Sequence, residues 1–176
     1  TAAFAAADLA AAGRSVLVSK GTYFLAGTIT FENAVRFEGT ISMAAASRLI
    51  CRRNYDLDTY AAAFGSALEG FRRALQSLFY FNDHVTLDLS GRRVLLTAPI
   101  DVAAISGLTS FAQRRVLTNG QLEAVPGTAW DTTTVTSVGT YSVAQPTRLT
   151  AVANVANIPV GARITGTGVG REVYVL

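Results

Sequence analysis

The chain has 176 residues, of which 50% are hydrophobic and 15% charged, with a formal net charge of +3. That length suits one domain or one domain with a small appendage, and the composition excludes a disordered tail. A single cysteine, Cys51, excludes an intramolecular disulfide, and a single histidine, His84, excludes multi-histidine metal sites.

Residues 1–12 are predicted as a helix: Ala is the strongest helix former, Phe4 and Leu9 lie close to one face, and Gly13 stands where a C-terminal cap belongs. Asp8 and the lack of a basic leader argue against a signal peptide here. Residues 14–50 carry short strands punctuated by Gly21, Gly27 and Gly39, and 51–58 read as a polar loop. From Thr59 to Phe81 the apolar positions Tyr60, Phe64, Leu68, Phe71, Leu75, Leu78 and Phe79 recur at helical spacing, with Asp58 or Thr59 as N-cap. Residues 84–125 return to short strands, and Pro126-Gly127 marks a break.

The predicted division is therefore 1–126 and 127–176, the second part being a small Thr- and Gly-rich β unit. Gly166, Gly168 and Gly170 match a phosphate loop poorly, since no Lys-Ser/Thr and no helix follows, and are read as strand turns. The start at Thr1 and the strand-like run Glu172–Leu176 read as part of a longer polypeptide. No apolar run approaches the roughly 18–20 residues of a membrane-spanning helix. Arginines fall in scattered pairs (52–53, 72–73, 92–93, 114–115), and in a strand only one of each pair faces either side. That argues against one continuous nucleic-acid stripe.

The chain also repeats itself. Val16–Val18, Gly21–Leu25 and Val35–Ile41 are echoed by Val85–Leu89, Arg92–Leu96 and Arg115–Leu122: short β-branched strand, Gly turn, short strand, small-residue turn, strand. Val16, Val18, Val85, Leu87 and Leu89 have the alternation of strands stacked about 4.8 Å apart over an apolar core. Residues 1–12 would cap the open end of such a stack.

The run Ala2–Ala7, then Gly13–Val18, then Gly21-Thr22-Tyr23-Phe24-Leu25 resembles the first turn of the pectate-lyase-like right-handed β-helix family. There a capping helix leads into a first strand and a Gly-Thr-Tyr turn; Ser19 stands where that family often has Pro. The segment Val85–Val94 is similar to one in the phage tailspike and tail-fibre group of that family. The resemblance covers residues 1–125 well and the rest loosely. It implies a mainly β chain, a right-handed parallel β-helix (solenoid) with an N-terminal capping helix and a second amphipathic helix. It further implies a homotrimeric virion spike or fibre that meets other virion structural proteins and binds bacterial surface polysaccharide, without a cofactor. The alternatives are a polysaccharide-degrading lyase or glycoside hydrolase, and an extracellular or cell-surface adhesin.

Glycoside hydrolysis needs two carboxylates about 5 Å apart, or roughly 6.5–9.5 Å apart for inversion. Aligning the repeats sets Asp88 opposite Ser19 and Glu38 near Asn119, which gives no such pair and no catalytic residue. Asp88 reads as a turn residue, and Asp56 and Asp58 as helix-start acids. Glu32, Asp83, Asp101, Glu123 and Asp131 are read as structural. Asn82-Asp83-His84 reads as a solvated turn, because neighbouring strand residues point to opposite faces. Aromatic rings are the usual sugar platforms. Phe79 and Phe81 are expected in the core, which leaves Tyr80 and Trp130 as the glycan-binding candidates. Phe64, Leu68, Phe71 and Leu75 are the expected trimer contact. No metal site, nucleic-acid partner or membrane partner is expected.

Overall fold

A computed structural model describes residues 1–80 and 83–176. The chain forms two compact units, Thr1–Trp130 and Asp131–Leu176.

The first unit opens with α1 (Ala2–Ala11), which ends with Ala12 in the left-handed region and Gly13 following it there. Six short strands come next: β1 (Val16–Val18), β2 (Thr22–Leu25), β3 (Ile29–Phe31), β4 (Val35–Phe37), β5 (Thr40–Met43) and β6 (Leu49–Cys51). They make two successive windings, with β1 parallel to β4, β2 to β5 and β3 to β6. Val16 lies beside Val35, Val18 beside Phe37 and Phe31 beside Cys51, so inward residues of one winding sit on those of the other. All six are buried, as alternation demands. The windings touch most closely at Gly39, where a Cβ would sit 2.7 Å from the Gly21 carbonyl oxygen.

The chain then leaves the strand pattern for α2 (Leu57–Phe64) and α3 (Ala67–Tyr80). The expected single helix from Thr59 is two. Asp56, not Asp58 or Thr59, is the N-cap, its carboxylate accepting the Thr59 N–H at 2.8 Å. Gly65 enters the left-handed region and stops α2, and Ser66 restarts the helix by accepting the Glu69 N–H. Strands resume as β7 (Thr86–Asp88) and β8 (Arg93–Leu96), and α4 (Val102–Ser106) follows. The last two strands of the unit are β9 (Val116–Thr118) and β10 (Gln121–Ala124). β7 pairs with β9 and β8 with β10, again parallel, and a Cβ on Gly120 would sit 2.7 Å from the Arg92 carbonyl oxygen. α4 is an element that a reading of 84–125 as strands misses, although Asp101 before it and Gly107 after it mark its ends.

The predicted β-helix solenoid is not formed. Helix and strand each make up 25% of the chain, and every sheet among the described residues has only two strands. A solenoid needs strands with partners on both edges, repeat after repeat. Here α2 packs on β4 and β5, and α3 on β6, β7 and β8, so helices take the place of a third winding. One isolated parallel bridge, Asp56 to Asp88, crosses from the helix start to the second pair of windings. The result is a mixed α/β unit in which strand pairs and helices share one core.

That core joins Phe31, Leu49 and Cys51 of the strands to Tyr60, Phe71, Ala74 and Leu78 of the helices and to Leu87 and Val94 beyond them. Each large side chain there contributes about 1.5–3 kcal/mol by burial. Tyr60 donates its hydroxyl to the Leu49 carbonyl at 2.8 Å, which seats α2 on β6. Its environment pushes the phenol far above its ordinary pKa, chiefly by desolvation. The Cys51 thiol is pushed up to about 12, again mainly by burial.

The second unit has two antiparallel strand pairs, β11 (Thr140–Tyr141) with β12 (Leu149–Thr150) and β13 (Arg163–Ile164) with β14 (Val173–Tyr174). None of its residues is buried. Gly166, Gly168 and Gly170 lie in the connection between β13 and β14, with no helix after them. The arrangement needed for a phosphate loop is absent.

Candidate functional site

The candidate site is built where α3 ends. Asp101 caps α4 through the Ala104 N–H at 2.9 Å, Gly107 turns the chain in the left-handed region, and residues 108–115 then pass the end of α3. The Phe111 ring meets Phe79 edge to face at 5.2 Å. A cleft of about 350 Å³ results, lined by Tyr80, Phe111, Asp83, Gln113 and Arg115 among others. The Arg48 guanidinium covers one face of the Tyr80 ring, 3.5 Å from its centre, and Arg48 donates to the Ala46 and Ser106 carbonyls at 3.2 and 3.1 Å.

Charged groups fix the floor. Arg52 pairs with both Asp83 and Glu32, the latter at 3.0 Å. Arg115 donates to the His84 carbonyl at 2.7 Å. His84 is not a solvated turn residue: its ring stacks on Tyr55 at 4.9 Å, and its Nε2 lies 3.0 Å from the Arg52 carbonyl oxygen. Asp83 pairs with Arg52. Phe81 and Asn82, the remaining members of the two sequence clusters here, lie outside the described residues.

Tyr80 and Trp130 do not share a cleft. Trp130 ends a short 3-10 turn and lines a second cavity of about 460 Å³, together with Ile100, Leu117 and Leu122. The two cavities share Phe79 and Arg115. Phe111 and Gln113 are site residues that sequence reasoning missed. The available signal was an aromatic within the stretch Thr109-Ser110-Phe111-Ala112-Gln113 between Gly107 and β9.

The expected trimer contact is corrected in part. Phe71 and Leu75 are 1% and 3% exposed, spent on this chain's own core, which leaves them no surface for a neighbour. Phe64 and Leu68 pack against the same core and are partly covered. Exposed apolar side chains elsewhere include Leu9 on α1, Leu17 on β1 and Phe24 on β2, the last 81% exposed.

Most carboxylates have structural partners. Asp88 accepts the Ser90 N–H at 2.7 Å and the Asn119 side-chain amide at 2.9 Å, so Asn119 belongs to Asp88 and not to Glu38. Glu38 pairs with Arg36, Asp58 with Arg92 and Glu123 with Arg93. Asp8 is buried and ties α1 to the turn after β3, accepting the N–H groups of Glu32 and Asn33 at 2.8 and 3.1 Å. The bridge from Asp56 to Asp88 nevertheless sets two carboxylate residues side by side across paired backbones, a juxtaposition the aligned repeats do not give. Among the described residues no three His, Cys, Asp or Glu side chains converge as metal ligands, and no helix is long and apolar enough to cross a membrane.

The arrangement at the end of α3 can stack a flat apolar face on a ring and hydrogen-bond its polar edge. No protein-family model, curated protein or solved structure matches the chain.

Proposed function

We propose that the chain is part of a homotrimeric virion spike or fibre, on a phage or phage-like particle, that binds bacterial surface polysaccharide. The observation that carries this reading is the cleft at the end of α3, where Tyr80 and Phe111 stand beside Asp83, Gln113 and Arg115. Rings flanked by hydrogen-bonding groups suit a pyranose, whose faces are apolar and whose rim is polar. The resemblance of the opening residues to tailspike chains supports the virion setting, and exposed Leu9, Leu17 and Phe24 support burial against neighbouring subunits. The reading needs no solenoid: it rests on the cleft. A cell-surface adhesin uses the same cleft chemistry and differs only in where the chain is displayed.

Binding of fluorescently labelled capsular and lipopolysaccharide O-chain glycans tests it. Tyr80→Ala and Phe111→Ala each weaken binding about tenfold, the equivalent of one stacking contact. Molar mass by light scattering at three times the chain mass supports the trimer, and a monomer at all concentrations refutes it.

A further inference from the structure

The turn between β9 and β10 joins two residues that the fold requires for separate reasons. Asn119 sits in the left-handed region at φ 53°, which asparagine tolerates better than most side chains, and its Nδ2 donates to the Asp88 carboxylate at 2.9 Å. Gly120 passes so close to the neighbouring winding that a Cβ there would collide with Leu89 and the Arg92 carbonyl oxygen. The result is an Asn-Gly pair, in which the next backbone nitrogen reaches the side-chain amide most freely because glycine has no side chain in the way. Asn33, Asn54, Asn82, Asn154 and Asn157 are each followed by a residue that carries one. Asn33 and Asn54 are also held at both side-chain atoms: each Oδ1 accepts a backbone N–H, at 2.8 and 3.0 Å, and each Nδ2 donates. Asn119 and Gly120 are both exposed, and the Gly120 N–H has no acceptor among the described residues.

We propose that Asn119 is a self-modification site, at which spontaneous deamidation by water loosens the second pair of windings. The Gly120 nitrogen attacks Asn119 Cγ and closes a succinimide ring. The Cγ–Nδ2 bond breaks, and ammonia leaves carrying the former amide proton of Gly120. One water then adds to either ring carbonyl and reopens it, giving aspartate or isoaspartate. Both products damage the same contact. A carboxylate at position 119 puts a second negative charge where Asp88 now receives a hydrogen bond. Isoaspartate also lengthens the main chain by one methylene between two bonds that fix the outer winding on the inner one. These are Leu89 N–H to the Thr118 carbonyl at 2.9 Å and Gln121 N–H to the Arg92 carbonyl at 3.0 Å. This inference is independent of the polysaccharide reading.

Trypsin releases the peptide Val116–Arg148, in which Asn119 is the only asparagine. After weeks of the native chain at neutral pH and body temperature, mass spectrometry should find that peptide converted to the acid, with isoaspartate the larger product. Its conversion should run about tenfold faster than that of the peptides carrying Asn33 or Asn54. Conversion in urea but not in the native chain, or equal rates at the three positions, overturns the site. The consequence is read separately. Asn119→Asp should lower the urea midpoint, and Asp88→Asn added to it should restore the midpoint, since the exchanged pair again joins an amide to a carboxylate. Asn119→Gly, which keeps the backbone conformation without the charge, should lower it less and should show no conversion. An Asn119→Asp chain as stable as the native one, or one that the exchange fails to rescue, overturns the loosening.

Discussion

The two pairs of windings in the first unit are built alike and finished differently. In the first, β1–β6, most inward residues of both windings are buried and Tyr23 and Met43 partly so, because α1 packs on β1 and β3 while α2 and α3 lie against β4, β5 and β6. In the second, β7–β10, the winding next to the helices is buried and the outer one is not. Leu87 and Val94 are sealed while Leu117 and Leu122 face an open hollow. The same alternating pattern thus produces core in one place and a cavity in the other. What differs is whether helices lie over both windings of the pair or over one of them. Stability resides in the closed stack, and ligand-sized space in the open one.

The difference can be broken most sharply at its two extremes. Leu49→Ala empties a fully buried site of the closed stack and should cost about 2–5 kcal/mol. Leu122→Ala in the open stack should cost under about 1 kcal/mol, since much of its side chain is already in water. Urea melts of the two variants check both values, and equal losses would show the second stack to be covered in solution. Next in size is Asp8→Ala. It leaves the Glu32 and Asn33 N–H groups without their acceptor at the α1 end, and should cost about 3 kcal/mol at neutral pH.

A third effect is pH-dependent and belongs to the closed stack alone. Burial pushes the Cys51 thiol from its ordinary 9.0 up to about 12 in the folded chain, so the unfolded chain ionises first as pH rises. The thiol's contribution is complete below pH 9 and declines by about 1.4 kcal/mol per unit from there toward 12. Tyr60 shifts in the same direction and steepens the loss above its ordinary value of 10.0. Chemical melts at pH 8, 9.5 and 11 measure the slope. Cys51→Ala should flatten it between 9 and 10, and a thiol reagent should leave the native chain unmodified. The smallest expected change is Leu117→Thr, within about 0.5 kcal/mol, as for an ordinary surface position.

Much of the local structure was legible because its causes are local. The Ala run of α1, the Val16–Val18 alternation and the turn role of Asp88 each follow from a few neighbouring residues. The break between α2 and α3 was legible too, at Gly65-Ser66, but the continuous apolar period from Tyr60 to Phe79 masked it. The candidate site was half legible. Tyr80 stood out as an aromatic among aromatics, whereas Phe111 and Gln113 gain their meaning only from the chain path that brings residues 108–115 past α3. In the sequence Asp8 argues only against a signal peptide. Its part in anchoring α1 depends on Asn33, twenty-five residues away.

By itself the sequence determined where strands, helices and turns are possible, because propensity, alternation and capping act within a few residues. Only the tertiary structure decided how many windings stack before helices intervene, which inward residues find cover, and which rings share a cleft. A periodic strand pattern specifies two faces and not what lies over them. In this chain helices cover both windings of the first pair and the inner winding of the second, whose outer winding stays open.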